Sequence, residues 1–100
     1  MDFFGRNRVK TFEDLVFKPH KNPYNDGAIQ SVMVFENGHY ISVVGGGQGL
    51  YGNGVSTFEV LSSWQDDVQG WLSKDEVTEL MLETQYKRPS DNIIGFSEPW

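Results

Sequence analysis

Apolar and polar residues alternate most regularly across residues 29–44, on both sides of Asn37-Gly38. Asn-Gly between two such runs is a strong signal for a β-hairpin with a two-residue type I′ turn, because both turn residues need a positive φ. That turn would place Glu36 opposite His39 and would fix the register of both strands. The sequence therefore predicts that an antiparallel hairpin is the centre of the fold.

Both faces of the predicted hairpin are apolar. With Glu36 opposite His39, one face carries Val32, Val34, Ile41 and Val43, and the other carries Ile29, Met33, Phe35, Tyr40 and Val44. A sheet with one face in water usually alternates more strictly between apolar and polar residues. We therefore expect the second face to be covered by the N-terminal arm, by the C-terminal tail or by another molecule.

Shorter signals predict further strands on both sides of the hairpin. Residues 11–14 match a capped helical turn, and the apolar run at residues 15–17 indicates a short strand that ends at Pro19. A glycine-rich loop covers residues 45–54, and residues 55–62 alternate as the next strand. Residues 62–72 are interpreted as a connection.

The C-terminal helix has the strongest start signal in the chain. Ser73 and Glu76 form a capping-box pattern, and the helix is predicted to run from Lys74 to about Tyr86. The apolar stripe at helical spacing, which should pack on the sheet, consists of Val77, Leu80, Met81 and Thr84. The expected fold is α+β, with a three- to four-stranded antiparallel meander and this one helix packed on one face.

The 100 residues suit one domain, which we place at residues 11–87. Residues 1–10 form an N-terminal arm, and residues 88–100 form a C-terminal tail that contains Phe96 and Trp100. The absence of cysteine excludes disulfides, zinc-thiolate sites and thiol catalysis, and it favours a reducing compartment such as the cytoplasm. The sequence has neither a signal peptide nor an apolar run long enough to span a membrane.

The formal net charge of −6 disfavours direct binding to nucleic acid or to an anionic membrane. Acidic residues concentrate in the C-terminal half, and the outward side of the predicted helix carries Asp75, Glu76, Glu79 and Glu83. A solvated helix face is the simplest explanation. The alternative is a surface that docks on a basic protein.

Candidate chemistry is sparse. Gly47, Gly49 and Gly52 match the dinucleotide-binding fingerprint, but that motif requires a following helix and the sequence predicts a strand. The loop is then a flexible connection, or a loop that closes over a ligand with Tyr51 at its tip. His20 and His39 match no metal-site spacing. No nucleophile, base and orienting group can be named together, so we expect no enzyme activity and no cofactor.

Four stretches resemble small accessory proteins of tailed bacteriophages, whose biochemistry is unassigned. They are TFEDLVFKPH at residues 11–20, VFENGHYISVV at residues 34–44, GLYG at residues 49–52 and DDVQGWLSKDEV at residues 66–77. The likeness spans about residues 11–86. It implies a setting in the cytoplasm of an infected bacterium, and it transfers no catalytic or binding residues.

The leading hypothesis is a small acidic interaction protein, phage-encoded, that binds a host protein and modulates it by inhibition. The expected contact residues are Met33, Phe35, Tyr40, Tyr51, Asp75, Glu76, Glu79, Glu83, Phe96 and Trp100. One alternative is a small-molecule or nucleotide-binding module that uses the glycine-rich loop. Another is a minor structural or assembly protein, and a homodimer could form through the second sheet face or the tail.

Overall fold

A computed structural model describes residues 9–20, 27–47 and 49–89. In these ranges the chain forms a five-stranded antiparallel sheet, with its strands in chain order as a meander, and one α-helix. A 3₁₀ turn (Phe12–Asp14) precedes the strands β1 (Lys18–Pro19), β2 (Ile29–Val34), β3 (Tyr40–Gly45), β4 (Thr57–Ser62) and β5 (Gln69–Ser73), and the helix α1 (Lys74–Gln85) follows. The predicted α+β fold is confirmed, with five strands rather than three or four.

The turn between β2 and β3 differs from the predicted turn. The Phe35 N–H donates to the carbonyl of His39 at 2.8 Å, and the Gly38 N–H donates to the carbonyl of Phe35 at 2.9 Å. Residues 36–38 therefore form a three-residue loop, in which Gly38 has a φ of 88° and Asn37 has no positive φ. A type I turn followed by a left-handed residue has this form. The predicted type I′ turn and the Glu36–His39 pair are wrong.

The Asn37 side chain joins this turn to the end of α1. Its Nδ2 donates to the carbonyls of Thr84 at 2.9 Å, Gln85 at 3.2 Å and Lys87 at 3.2 Å. Its Oδ1 accepts a hydrogen bond from the His39 N–H at 3.1 Å. The last carbonyls of a helix have no partners within the helix. Asn37 therefore caps the end of α1 from within the hairpin turn.

The register of the hairpin changes with the turn, which moves side chains to the opposite face. Met33 pairs with Ile41, and both contribute to the core under α1, together with Phe35. Tyr40 pairs with Val34, and these two lie on the other face. The predicted grouping of Met33, Phe35 and Tyr40 on one face is therefore wrong. Phe35 is only 7% exposed because it lies in the core.

The core lies between α1 and the sheet. The four residues of the predicted helix stripe are all buried, as the spacing indicated. The helix also starts as predicted, since the Glu76 N–H donates to Ser73 Oγ at 3.1 Å and the Ser73 N–H donates to Glu76 Oε1 at 2.9 Å. The buried apolar cluster consists of Leu15, Phe35, Ile41, Val43, Phe58, Val60, Val77, Leu80 and Met81.

The segment before β1 closes one side of this core. The Lys10 N–H donates to Gln85 Oε1, and Gln85 Nε2 donates to the Lys10 carbonyl, both at 2.8 Å. The Phe12 ring lies 5.0 Å from the Phe58 ring, centroid to centroid.

The short strand predicted at residues 15–17 is found instead at Lys18–Pro19. Residues 1–8 and the tail from residue 90, with Phe96 and Trp100, lie outside the described residues.

Four of the five residues of β5, from Gln69 to Leu72, lie in the stretch that the sequence predicts to be a connection, and Ser73 is also the cap of α1. β5 contains only five residues, and its pairing with β4 is irregular between Phe58 and Val60. A short strand with an irregular ladder lacks the strict alternation on which a strand prediction depends.

Replacement of Asn37 tests its role as the link between hairpin and helix. Asn37→Asp keeps the acceptor but loses the donor and places a negative charge at the negative end of the helix dipole. We expect the free energy of unfolding, measured by urea denaturation, to fall by about 2 kcal/mol. The matched control is Asn53→Asp, because Asn53 Oδ1 accepts three backbone hydrogen bonds and a carboxylate can do the same. Equal losses in both variants would contradict the assignment.

Candidate functional site

Two exposed aromatic side chains lie side by side near the β5 edge of the sheet. Tyr51, in the loop between β3 and β4, is 54% exposed, and Trp71, in β5, is 60% exposed. Their ring centroids are 6.4 Å apart, with the ring planes tilted by 47°. We call these two residues the aromatic pair. Exposed tyrosine and tryptophan side chains offer a large apolar area for binding together with a polar group.

Two short hydrogen bonds hold the aromatic pair in place. The Trp71 N–H donates to the Tyr51 carbonyl at 2.7 Å, and the Tyr51 N–H donates to Glu59 Oε1 at 2.9 Å. Gly70 lets the loop approach the strand, because a Cβ at this position would lie 2.4 Å from Tyr51 Cβ. The loop therefore packs directly on β5, and Glu59 in β4 accepts a hydrogen bond from the loop.

The backbone of Trp71 is in an unusual conformation. Phe58 pairs with Leu72 and Val60 pairs with Gln69, so that two residues of β5 lie opposite one residue of β4. Within this bulge Trp71 has a φ of 59°, a left-handed value that costs a residue with a side chain about 1–2 kcal/mol. Such strained residues persist where the surroundings hold them, and they concentrate at binding sites.

The loop that carries Tyr51 is built from specific hydrogen bonds. Asn53 Oδ1 accepts from the N–H groups of Val55 at 2.7 Å, Ser56 at 2.8 Å and Thr57 at 3.1 Å. These bonds close the loop onto the start of β4, so the loop is more than a flexible connection. Because β4 follows the glycine motif, no helix N-terminus is present there to bind a phosphate group.

Glu59 is a buried acidic residue that contacts the backbone of the aromatic pair. It is 4% exposed and pairs with Val44, on the sheet face away from α1. Its carboxylate accepts the hydrogen bond from Tyr51 described above. Among the described residues, no lysine, arginine or histidine forms an ion pair with it. A buried carboxylate without a cationic partner is energetically costly.

A second surface lies at the opposite edge of the sheet. β1 pairs only with Gln30 and Ile29, while β2 continues to Val34. Hydrogen-bonded pairs alternate along an antiparallel ladder, so the backbone groups of Val32 and Val34 point away from β3. A cleft of about 530 Å³ runs along this edge, and its lining includes Val16, Lys18 and Val32.

The structure distributes the predicted contact residues over several surfaces. Tyr51 belongs to the aromatic pair, while Met33 and Phe35 pack in or against the core and Tyr40 lies half-buried on the other face. The acidic residues of α1, namely Asp75, Glu76, Glu79 and Glu83, are all exposed, as expected. Glu76 is used for the helix cap, and Glu83 Oε2 lies 3.8 Å from Lys87 Nζ.

Trp71 and Glu59 are not among the contact residues expected from the sequence. Neither has a local signal, because their proximity to Tyr51 depends on a glycine contact and a bulge.

His39, considered above as a ligand, has its Nδ1 2.7 Å from Ser63 Oγ and its Nε2 2.8 Å from the Arg88 carbonyl oxygen. In residues 9–20, 27–47 and 49–89, no three acidic or histidine side chains converge to hold a metal ion.

No helix within the described ranges is both long and apolar enough to cross a membrane. No family model matches the chain, and neither a curated protein nor a solved structure matches it.

Two variants at position 71 test the backbone strain. Trp71→Ala and Trp71→Gly both remove the indole ring, but only glycine adopts a φ of 59° without steric cost. We therefore expect Trp71→Gly to be more stable than Trp71→Ala by about 1 kcal/mol in urea denaturation. The same exchange at exposed Tyr86, which has no positive φ, is the control and should favour alanine. Equal stability of the two position-71 variants would contradict the strained conformation.

Proposed function

We propose that this protein is a non-enzymatic interaction module that binds a partner protein through the aromatic pair. The observation that carries this proposal is the exposed Trp71, held at a φ of 59° beside Tyr51. A mostly exposed indole contributes little to the core, so stability does not explain why a bulky residue occupies a strained position. A contact with a partner does explain it.

The chemistry of the aromatic pair suits a protein partner. Tryptophan and tyrosine are enriched among the residues that contribute most binding energy in protein interfaces. Two hydrogen bonds and the close Gly70 contact hold the aromatic pair in position. Rings that are already positioned lose little conformational freedom on binding, which favours affinity.

The charge of the molecule supports a basic partner. The formal net charge is −6, and the carboxylates of Asp75 and Glu79 are exposed on α1. Such a field attracts a positively charged protein and raises the rate of association. The resemblance to phage accessory proteins supports a bacterial host protein as the partner. We propose that binding modulates this partner by inhibition, in the cytoplasm of the host cell.

A second candidate function is assembly with another copy of the chain. Beyond Gln30, no described strand pairs with the outer edge of β2, and this free edge, with the outward backbone groups of Val32 and Val34, supports it. An unpaired strand edge is a template for pairing with another strand. Two copies could join their β2 edges in an antiparallel pair, with the two strands related by a two-fold axis.

If the protein is an interaction module, removal of the Trp71 indole ring should strongly weaken binding of the partner. In affinity capture from bacterial lysate, Trp71→Gly should lose a protein that the wild-type chain retains, with at least a tenfold drop in recovered amount. Tyr86→Ala is the control, because Tyr86 is also an exposed aromatic residue, at the end of α1. Equal recovery with wild type and Trp71→Gly, or no specific protein at all, would count against the proposal.

If the chain assembles with a second copy, it should form a dimer whose amount depends on concentration. A charge introduced on the β2 edge should disrupt that dimer. Val34 is 49% exposed on the free edge, and a lysine there discourages strand pairing. We expect Val34→Lys to be monomeric by sedimentation velocity at concentrations where the wild type dimerises. Val55→Lys, at an exposed valine in the loop before β4, should leave the dimer unchanged. A wild type that stays monomeric at all concentrations would exclude this function.

A further inference from the structure

We infer that the aromatic pair and Glu59 together form a subsite for an arginine side chain of the partner. This inference rests on the interaction function proposed above and specifies the chemical group that the surface recognises. It draws on one further observation, the buried carboxylate of Glu59. A cation is the matching group because a carboxylate and two aromatic rings, which both attract cations, lie on hydrogen-bonded segments of the chain.

The first group is the carboxylate of Glu59. It is 4% exposed, and its charge has no cationic partner among the described residues. The hydrogen bond from the Tyr51 N–H stabilises the carboxylate but does not neutralise it. A guanidinium group that approached Glu59 would supply the missing countercharge. A charge-assisted hydrogen bond is about twice as strong as a neutral one.

The second group is the pair of aromatic rings. The faces of tryptophan and tyrosine rings attract cations, and arginine adds a planar surface that stacks on them. Tyr51 and Trp71 are exposed enough to receive a ligand from solvent. The carboxylate and the backbones of both ring-bearing residues are joined by hydrogen bonds of 2.9 Å and 2.7 Å. The carboxylate is therefore joined directly to the loop and the strand that carry the two rings.

The molecule uses the same chemistry with its own cations elsewhere. Lys87 Nζ lies 3.9 Å from the centroid of the Trp64 ring, and Lys74 Nζ lies 5.7 Å from the centroid of the Phe12 ring. Within the described ranges, no lysine or arginine lies over the Tyr51 or Trp71 ring. The aromatic pair thus has the groups for a cation contact, and the described part of the chain supplies no cation to it.

The test is a titration of the ¹⁵N-labelled full chain with N-acetyl-arginine amide, followed through the indole N–H resonance of Trp71. The spectrum of Trp71→Gly identifies that resonance by its loss. The neutral control ligand is N-acetyl-citrulline amide, which has nearly the same shape without the charge. We expect saturable binding of the arginine compound in the millimolar range and at least tenfold weaker binding of the citrulline compound.

Matched variants assign the effect to the site. Glu59→Gln should weaken arginine binding at least fivefold, whereas Glu36→Gln, at an exposed acid in the turn between β2 and β3, should leave it unchanged. Tyr51→Leu provides a second readout if Glu59→Gln does not fold, since it removes a ring but keeps the backbone hydrogen bonds. It too should weaken binding at least fivefold.

Several outcomes would overturn the inference. They are equal binding of the arginine and citrulline compounds, no saturable shift with either, or unchanged binding in folded Glu59→Gln or Tyr51→Leu. None of these results removes the interaction function itself, which is decided by the loss of a captured protein in Trp71→Gly. A captured protein without arginine recognition would leave the interaction function standing and the subsite refuted.

Discussion

The amide of Asn37 is the contact on which the arrangement of helix and hairpin depends. Its Nδ2 donates to the carbonyls of Thr84 and Gln85 in the last turn of α1 and of Lys87 just beyond it, and its Oδ1 accepts from the backbone of the hairpin turn. This contact adds a hydrogen-bond partner for carbonyls at the helix end, where the regular helical pattern stops. It also accompanies a three-residue turn, and the turn sets the register of β2 against β3. The faces of the sheet, and hence the composition of the core, follow from that register.

The candidate site lies at the β5 edge of the sheet and depends on different constraints. Close approach of Tyr51 to Gly70 brings the glycine-rich loop onto β5, and the bulge turns Trp71 into a left-handed conformation. The surrounding contacts hold Trp71 in this conformation against a cost of about 1–2 kcal/mol, which is a large fraction of the stability of a small domain. The two faces of the sheet thus differ in role. The face that packs on α1 provides stability, and the other face and the β5 edge carry the backbone strain and the exposed aromatic surface.

Electrostatics links the site to the rest of the molecule. The acidic residues of α1 are exposed and act at long range, where salt screens them. Glu59 is buried and acts at short range, where water screens it far less. A cationic partner would thus be attracted by the overall charge and recognised by one carboxylate and two rings. The exposed acids alone could provide attraction without specificity, because solvated charges discriminate poorly between basic surfaces.

The sequence by itself determined the α+β class, the central hairpin, the helix with its Ser73–Glu76 cap and its buried stripe, because these depend on local periodicity and local hydrogen bonds. Only the tertiary structure decided the turn type, the register, the fifth strand and the candidate site. Asn37 favours its turn through carbonyls far away in the chain, and Trp71 meets Tyr51 through a bulge and a glycine contact. Such long-range contacts leave no periodic signal in the sequence. The sequence predicts a two-residue hairpin loop where the structure has three residues, and this difference of one residue reverses the expected faces of the hairpin.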